Sequence, residues 1–216
     1  NIIKSRGSKV FYALLTILGF VCLYIPVSGI ISSGEDSYPI VFEGTSNIKL
    51  DELGIDNPAN TGSYEVEYFT YGSGTDKRRR DFGSEVKYKT APVDGSLLLP
   101  EWKGKRKRWR ERYWGFGIHE APINGRVWMP KKEGKLPLIL IVHGNHGMEH
   151  HSDPGYAYLG ELLASRGFIT VSVDENYING TWSGDFRGRE MPIRAWLLLK
   201  HLEQWNSWSK DQSSEL

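Results

Sequence analysis

The feature that most constrains the fold is a strand–helix–strand–helix series in the second half of the chain. Residues 136–142 read LPLILIV, a run typical of a strand buried on both faces of a parallel sheet. A helix predicted to begin at Asp153 ends at Gly167, and a second apolar strand follows at residues 168–173. Another helix is predicted to begin at Glu190. This order predicts an α/β fold with a mainly parallel sheet flanked by helices.

Shorter strands are predicted earlier in the chain, where polar and apolar residues alternate with period two. Residues 64–68 and 86–90 show this alternation, and residues 125–129 form a short run that Pro130 ends. One further short strand is predicted at residues 38–42. With the later strands they predict a mixed sheet.

The N-terminal segment is strongly apolar, since residues 10–31 carry no charged side chain. At ~1.5 Å per residue a helix of this length crosses a hydrocarbon layer of ~30 Å. Basic residues precede the run, which predicts a cytoplasmic N-terminus at residues 1–9 and an exported main domain, anchored in the cell membrane by a single pass. A cleaved signal peptide and a buried core helix are the alternatives. We expect a linker at residues 32–63 and a domain at residues 64–216.

Charge and cysteine content exclude several classes of function. The 27 basic and 26 acidic residues leave a net charge of +1, so no overall field attracts nucleic acid. A single cysteine excludes a disulfide framework and any zinc site built on several cysteines. Basic side chains cluster at residues 77–80 and 103–112, the latter among aromatic residues. We predict solvated segments there, with anionic lipid headgroups or acidic polymers left open as contacts, and no nucleic-acid partner.

The most informative stretch, residues 138–176, reads LILIVHGNHGMEHHSDPGYAYLGELLASRGFITVSVDEN. A buried strand ends in His143 and Gly144, a polar loop follows, and after the helix a second strand ends in Asp174. This series resembles the N-terminal part of the α/β-hydrolase superfamily. The resemblance is to its branch of dienelactone hydrolases, platelet-activating-factor acetylhydrolase-like esterases and cutinase-like polyester hydrolases.

The resemblance implies a role for the loop after the first of these strands. In the family an HG loop after the third strand supplies part of the oxyanion hole, where backbone N–H groups stabilise the charge that develops on the ester carbonyl. The backbone N–H of Asn145 is the predicted donor, and that of His146 is the next candidate. Gly144 is predicted to allow a close turn that a Cβ atom would obstruct.

Candidate substrate-binding residues lie at the ends of the same two strands. They are His143 and Gly144 in the loop, and Asp174 and Glu175 at the carboxyl end of the later strand. Ligands of open α/β sheets bind at that end of parallel strands. Capping and loop hydrogen bonds are the alternative role for the two acidic residues.

The loop also holds a cluster of histidines, which makes a metal site an alternative. Imidazole and carboxylate groups are ordinary metal ligands, but the H-E-x-x-H spacing of zincins does not occur. We therefore predict neither a metal ion nor a cofactor. The residues of the cluster are His143, His146, Glu149, His150, His151 and Asp153.

No G-x-S-x-G nucleophile elbow occurs in the sequence. The resemblance therefore implies that the serine, the acid and the histidine of the triad lie beyond Leu216. The predicted function is that of a membrane-anchored fragment of a serine hydrolase acting on small-molecule or polymeric carboxylic esters. A non-catalytic binding or scaffold protein on a hydrolase-like fold is one alternative, and a metal-dependent hydrolase is another.

Overall fold

The chain divides into two compact units, Asn1–Gly54 and Ile55–Leu216. The structure is a computed structural model, and the residues that it describes are 2–31, 54–180 and 188–211. In the first range it describes the side chains of residues 8–24 only. The strand predicted at residues 38–42, most of the predicted linker, and residues 181–187 lie outside the described residues.

The first unit contains helix α1, Ile2–Ile31, which includes the uncharged run. Its described apolar side chains are exposed, among them Leu14, Leu18 and Phe20. Across the described residues, no helix combines the length and the apolar character that crossing a membrane requires. The membrane span at residues 10–31 therefore stays a prediction.

A five-stranded mixed sheet forms the centre of the second unit. Its strands are β1 (Val66–Gly72), β2 (Tyr88–Lys89), β3 (Asn124–Pro130), β4 (Leu138–Val142) and β5 (Ile169–Asp174). Their spatial order is β2-β1-β3-β5-β4. Strand β3 runs antiparallel to both of its neighbours, whereas β4 pairs in parallel with β5, and β1 with β2. The predicted mixed α/β architecture is confirmed, but the expectation of a mainly parallel sheet was wrong, because the central strand β3 is antiparallel to both neighbours.

The described helices of the second unit are α2 (Gly104–Trp114), α3 (Ala157–Ser165) and α4 (Met191–Trp208). Helix α3 makes the crossover between the parallel strands β4 and β5. It ends at Ser165, and Gly167 follows with a φ of 101° and donates its N–H to the Ala164 carbonyl oxygen at 2.9 Å. Gly160 lets α3 approach β3 closely, because a Cβ there would lie 2.3 Å from the Trp128 ring.

Two groups of apolar side chains form the core of this unit. One lies between the sheet and α4 and includes Phe69, Val127 and Trp205. The other includes Trp114 of α2 and Ile193 of α4. Helix α2 therefore belongs to the folded body, which corrects the prediction that residues 103–112 form only a solvated insertion.

Two further predictions about local structure were wrong. Strand β4 is half-buried rather than buried on both faces, because it lies at the edge of the sheet, where it pairs only with β5 among the described strands. Asp153 does not cap the first helix; Ser152 precedes the turn Asp153–Tyr156, and α3 begins at Ala157. The Asp153 side chain instead accepts a hydrogen bond from Arg126 at 2.5 Å.

Candidate functional site

The loop that follows β4 begins at His143, whose buried ring ties the two parallel strands together. Its Nε2 accepts the backbone N–H of Glu175 at 3.0 Å, directly after β5. Its Nδ1 lies 2.9 Å from the carbonyl oxygen of Gly144, a distance at which a protonated Nδ1 donates. Both contacts are satisfied by the neutral ring, and burial lowers the pKa of His143. The ring therefore fixes the carboxyl ends of β4 and β5 relative to each other.

Asn145 holds the loop against a neighbouring segment through its side chain. The Nδ2 group donates to Glu190 Oε1 at 2.7 Å, and Oδ1 accepts the backbone N–H of Gly180 at 2.8 Å. Met148 adds a backbone hydrogen bond to the Gly180 carbonyl at 2.6 Å. The loop is thus attached on one side to the segment after β5 and on the other to the start of α4.

The backbone N–H groups of Asn145 and His146 are available to donate hydrogen bonds to a ligand. Within the described residues, neither group donates a hydrogen bond, and Asn145 is exposed. The side chain of His146 is occupied, since Nε2 lies 2.6 Å from the Ser152 hydroxyl. The loop therefore has two adjacent backbone donors without a described partner, while the side chains of Asn145 and His146 are held by protein contacts.

Gly144 does not have the steric role predicted for it. A Cβ built on this residue meets no atom within 4 Å, and its φ lies outside the left-handed region. The residue is exposed at the turn out of β4. Close packing was therefore the wrong reason for a glycine here. Its contact with substrate stays a prediction.

Asp174 is fully buried at the end of β5 and makes its contacts within the protein. Its Oδ2 accepts from Arg79 at 2.5 Å and from Asn124 at 3.2 Å, and Oδ1 accepts from the Asn176 side chain at 2.7 Å. Burial by itself raises the pKa of Asp174, but Arg79 and the hydrogen bonds from Asn176 bring it below its usual range. The carboxylate is therefore ionised and already paired.

Arg79 lies at the centre of this buried group, which corrects the prediction that residues 77–80 are simply solvated. It contacts Asp76 at 2.7 Å and Asp153 at 3.3 Å in addition to Asp174. Burial and the charge of Asp174 raise the pKa of Asp153, while Arg79 and Arg126 oppose that rise. We call Arg79, Asp76, Asp153, Asp174 and Arg126 the buried charge network. Apart from the local pair of Asp76 and Arg79, its members come from distant segments, so no local pattern in the sequence indicates the network.

Glu175 is buried beside the buried charge network and pairs with a different arginine. Its Oε2 accepts from Arg194 of α4 at 2.9 Å, and Arg194 also donates to Asn179. Burial raises the pKa of Glu175 to about 7, and Arg194 only partly opposes the shift. Glu175 Oε1 and Glu190 Oε2 are buried without a hydrogen-bond partner among the described residues. Substrate contact by Asp174 and Glu175 stays a prediction.

The structure brings the predicted residues into one region, but it adds a residue that the sequence did not suggest. His143 contacts Glu175 directly, whereas Asn145 reaches α4 through Glu190. Glu190 is buried, and its only signal in the sequence is its place at a helix start. No group of three or more histidine, cysteine or acidic side chains among the described residues is arranged to hold a metal ion.

Comparisons with known proteins give no assignment. No family model matches the chain, no curated protein matches it, and no solved structure matches its fold.

Proposed function

We propose that this chain forms the first part of a serine hydrolase of the α/β-hydrolase superfamily that acts on carboxylic esters. The observation that carries the proposal is the loop after β4, which holds the N–H groups of Asn145 and His146 without partners among the described residues. Such donors stabilise the oxyanion that forms when a nucleophile attacks an ester carbonyl.

The sheet topology supports the proposal. Strands β4 and β5 are parallel and joined through α3, so their carboxyl ends lie at the same edge, where open α/β sheets bind ligands. Counting only the four longer strands, β4 is the third in chain order, and in α/β-hydrolases the loop after the third strand provides an oxyanion donor. Residues 143–147 occupy that position here.

In the proposed reaction, Asn145 N–H donates to the carbonyl oxygen as its negative charge develops. A serine attacks the carbonyl carbon, and a histidine held by an acidic residue takes the serine proton and passes it to the leaving alcohol. We place these three groups in sequence that follows Leu216. His143 and the Asn145–Glu190 hydrogen bond hold the donor in place before substrate binds, so little reorganisation accompanies the reaction.

The test requires the complete reading frame that contains this sequence. The expressed protein should react with a fluorophosphonate probe at a serine in a G-x-S-x-G motif and should hydrolyse a p-nitrophenyl ester. Asn145→Pro removes the N–H donor and should lower kcat by about 10²–10³-fold. Asn145→Ala keeps the N–H and removes only the side-chain hydrogen bonds, so it is the matched control and should lose less.

Two results would contradict the proposal. One is a complete reading frame without a reactive serine, which favours a binding or scaffold protein on this fold. The other is an Asn145→Pro enzyme that is folded by circular dichroism and turns over at the wild-type rate.

We further propose that residues 10–31 anchor the protein in the cell membrane, with the hydrolase domain outside the cytoplasm. The support is the absence of charge in this run and the basic residues before it. Alkaline carbonate extraction of native membranes tests the anchor, because a peripheral protein is released and a spanning one is retained. Protease accessibility in intact cells tests the orientation.

A further inference from the structure

Helix α2 presents a strongly basic face to solvent, separate from the loop after β4. Lys103 precedes the helix, and three further basic residues follow at helical spacing; all four are exposed. The side chain of Trp109 lies among them and is 46% exposed. We call Lys103, Lys105, Arg108 and Arg112 the basic face. Three of these residues and Trp109 line a surface groove of about 410 Å³.

Three charges of the basic face form no ion pair in the described part of the chain, whereas Lys103 interacts electrostatically with Glu101. No carboxylate there lies within ion-pair distance of Lys105, Arg108 or Arg112, whereas the neighbouring Lys107 lies 3.8 Å from Glu111. Like charges three or four residues apart destabilise a helix. The basic face therefore carries a repulsion that an anionic partner would relieve.

The opposite side of α2 is fixed to the folded body, so the orientation of the basic face is defined. Arg110 is fully buried and donates to the carbonyl oxygens of Tyr177 at 2.7 Å and Asn179 at 2.5 Å. Trp114, one turn later, is also fully buried. Gly115 ends the helix with a φ of 91°. The charges thus project from a rigid element rather than from a flexible loop.

We propose that the basic face docks onto a phospholipid bilayer that contains anionic headgroups. Juxtaposed lysine and arginine side chains attract such a surface, and each contributes separately to the affinity. Trp109 suits the same partner, because an indole with an apolar body and a polar N–H settles at the level of the headgroups. The inference does not depend on the hydrolase proposal, because it requires no reacting group.

A bilayer fits the face better than a nucleic acid does. A single-stranded nucleic acid is bound along a groove in which successive bases stack on several aromatic side chains. The aromatic neighbours Trp102 and Trp114 are buried, so Trp109 is the single well-exposed ring on this helix. With a net charge of +1, the protein also has no extended positive potential along which a polynucleotide would bind. The basic face is a compact patch suited to a planar anionic surface.

The test measures partitioning of the 216-residue chain into vesicles of phosphatidylcholine alone and of phosphatidylcholine with phosphatidylserine. The ratio of the two partition coefficients isolates the electrostatic contribution, because uncharged residues 10–31 bind both vesicles alike. The test variant is Lys105→Gln, Arg108→Gln and Arg112→Gln together. The matched control is Lys89→Gln, Lys135→Gln and Lys210→Gln, which removes three exposed charges from other elements.

We expect the test variant to lower the ratio about fivefold per charge, or roughly 100-fold in total. The control variant should lower it by less than threefold. Raising the salt concentration from about 0.1 M to about 1 M shortens the Debye length from about 10 Å to about 3 Å and should bring the wild-type ratio close to one. Circular dichroism of both variants checks that the helix content of the protein is unchanged.

Two outcomes would overturn the proposal. Equal partition ratios for the test and control variants would show that the basic face is not the docking surface. A test variant that keeps its vesicle ratio but loses affinity for a single-stranded DNA oligonucleotide would assign the face to nucleic acid instead.

Discussion

Arg79 and the basic face of α2 carry the same kind of charge in opposite environments. Arg79 is 6% exposed and contacts three aspartates. Arg108 and Arg112 are exposed, and no described carboxylate lies within ion-pair distance of either. A buried cation requires fixed counter-charges, whereas an exposed one is solvated by water and keeps its field available to a partner. The first arrangement stabilises the fold, and the second is suited to binding.

Removing the buried cation should have the largest effect. Arg79→Met leaves Asp76, Asp153 and Asp174 buried without their shared partner, and we expect the free energy of unfolding to fall by about 3–5 kcal/mol in urea titrations. Arg80→Met is the matched control, because the Arg80 side chain is 80% exposed in its pair with Glu85. It should change stability by about 0.5 kcal/mol or less. Equal effects of the two substitutions would contradict the buried charge network.

The buried pair of Glu175 and Arg194 should make the stability of the protein depend on pH. The folded-state pKa of Glu175 is about 7, against about 4.3 in an unfolded chain. Between these values the folded protein keeps a proton that the unfolded chain has lost, so stability falls as pH rises and levels off above about pH 7. Relative to Glu175→Gln, wild-type protein should lose about 2–3 kcal/mol across this window.

The measurement is chemical denaturation of both proteins at several pH values from 4.5 to 8. This range avoids Asp174, whose lowered pKa means that its stabilisation is lost only as pH falls below about 4. If the free energy of unfolding of wild-type protein relative to Glu175→Gln stays constant or increases with pH, Glu175 is ionised over the whole range, as Asp174 is.

The local sequence predicted the strands well and the environments of the charges poorly. Residues 168–173 correspond to β5 within one residue, because a buried strand has a continuous apolar pattern. Arg79 was not recognised as buried, since its partners Asp153 and Asp174 lie 74 and 95 residues away. Only the folded chain brings these residues together.

Helix α2 is a second case in which the local sequence did not predict which residues are buried. Its buried positions are Arg110 and Trp114, four residues apart, so a charged residue occupies a site where periodicity analysis expects an apolar one. In the loop after β4, the position of Asn145 followed from the strand pattern. The hydrogen bond from its side chain to Glu190 did not, because α4 reaches the loop only through tertiary packing.

The smallest predicted effect is on stability, and its sign differs between the basic face and Arg79. Arg108→Glu places a carboxylate three residues after Lys105 and four before Arg112, which converts two repulsions into attractions, while its pair with Glu111 three residues later becomes repulsive. The net change favours the helix by one pair, and each such pair contributes about 0.2–0.5 kcal/mol, so the protein should become slightly more stable. Thermal unfolding at low salt measures the gain, which 1 M salt should abolish. The same substitution at Arg79 would place a fourth carboxylate among three aspartates and destabilise the fold. A destabilised Arg108→Glu protein would contradict the conclusion that repulsion among Lys105, Arg108 and Arg112 outweighs their attraction to Glu111.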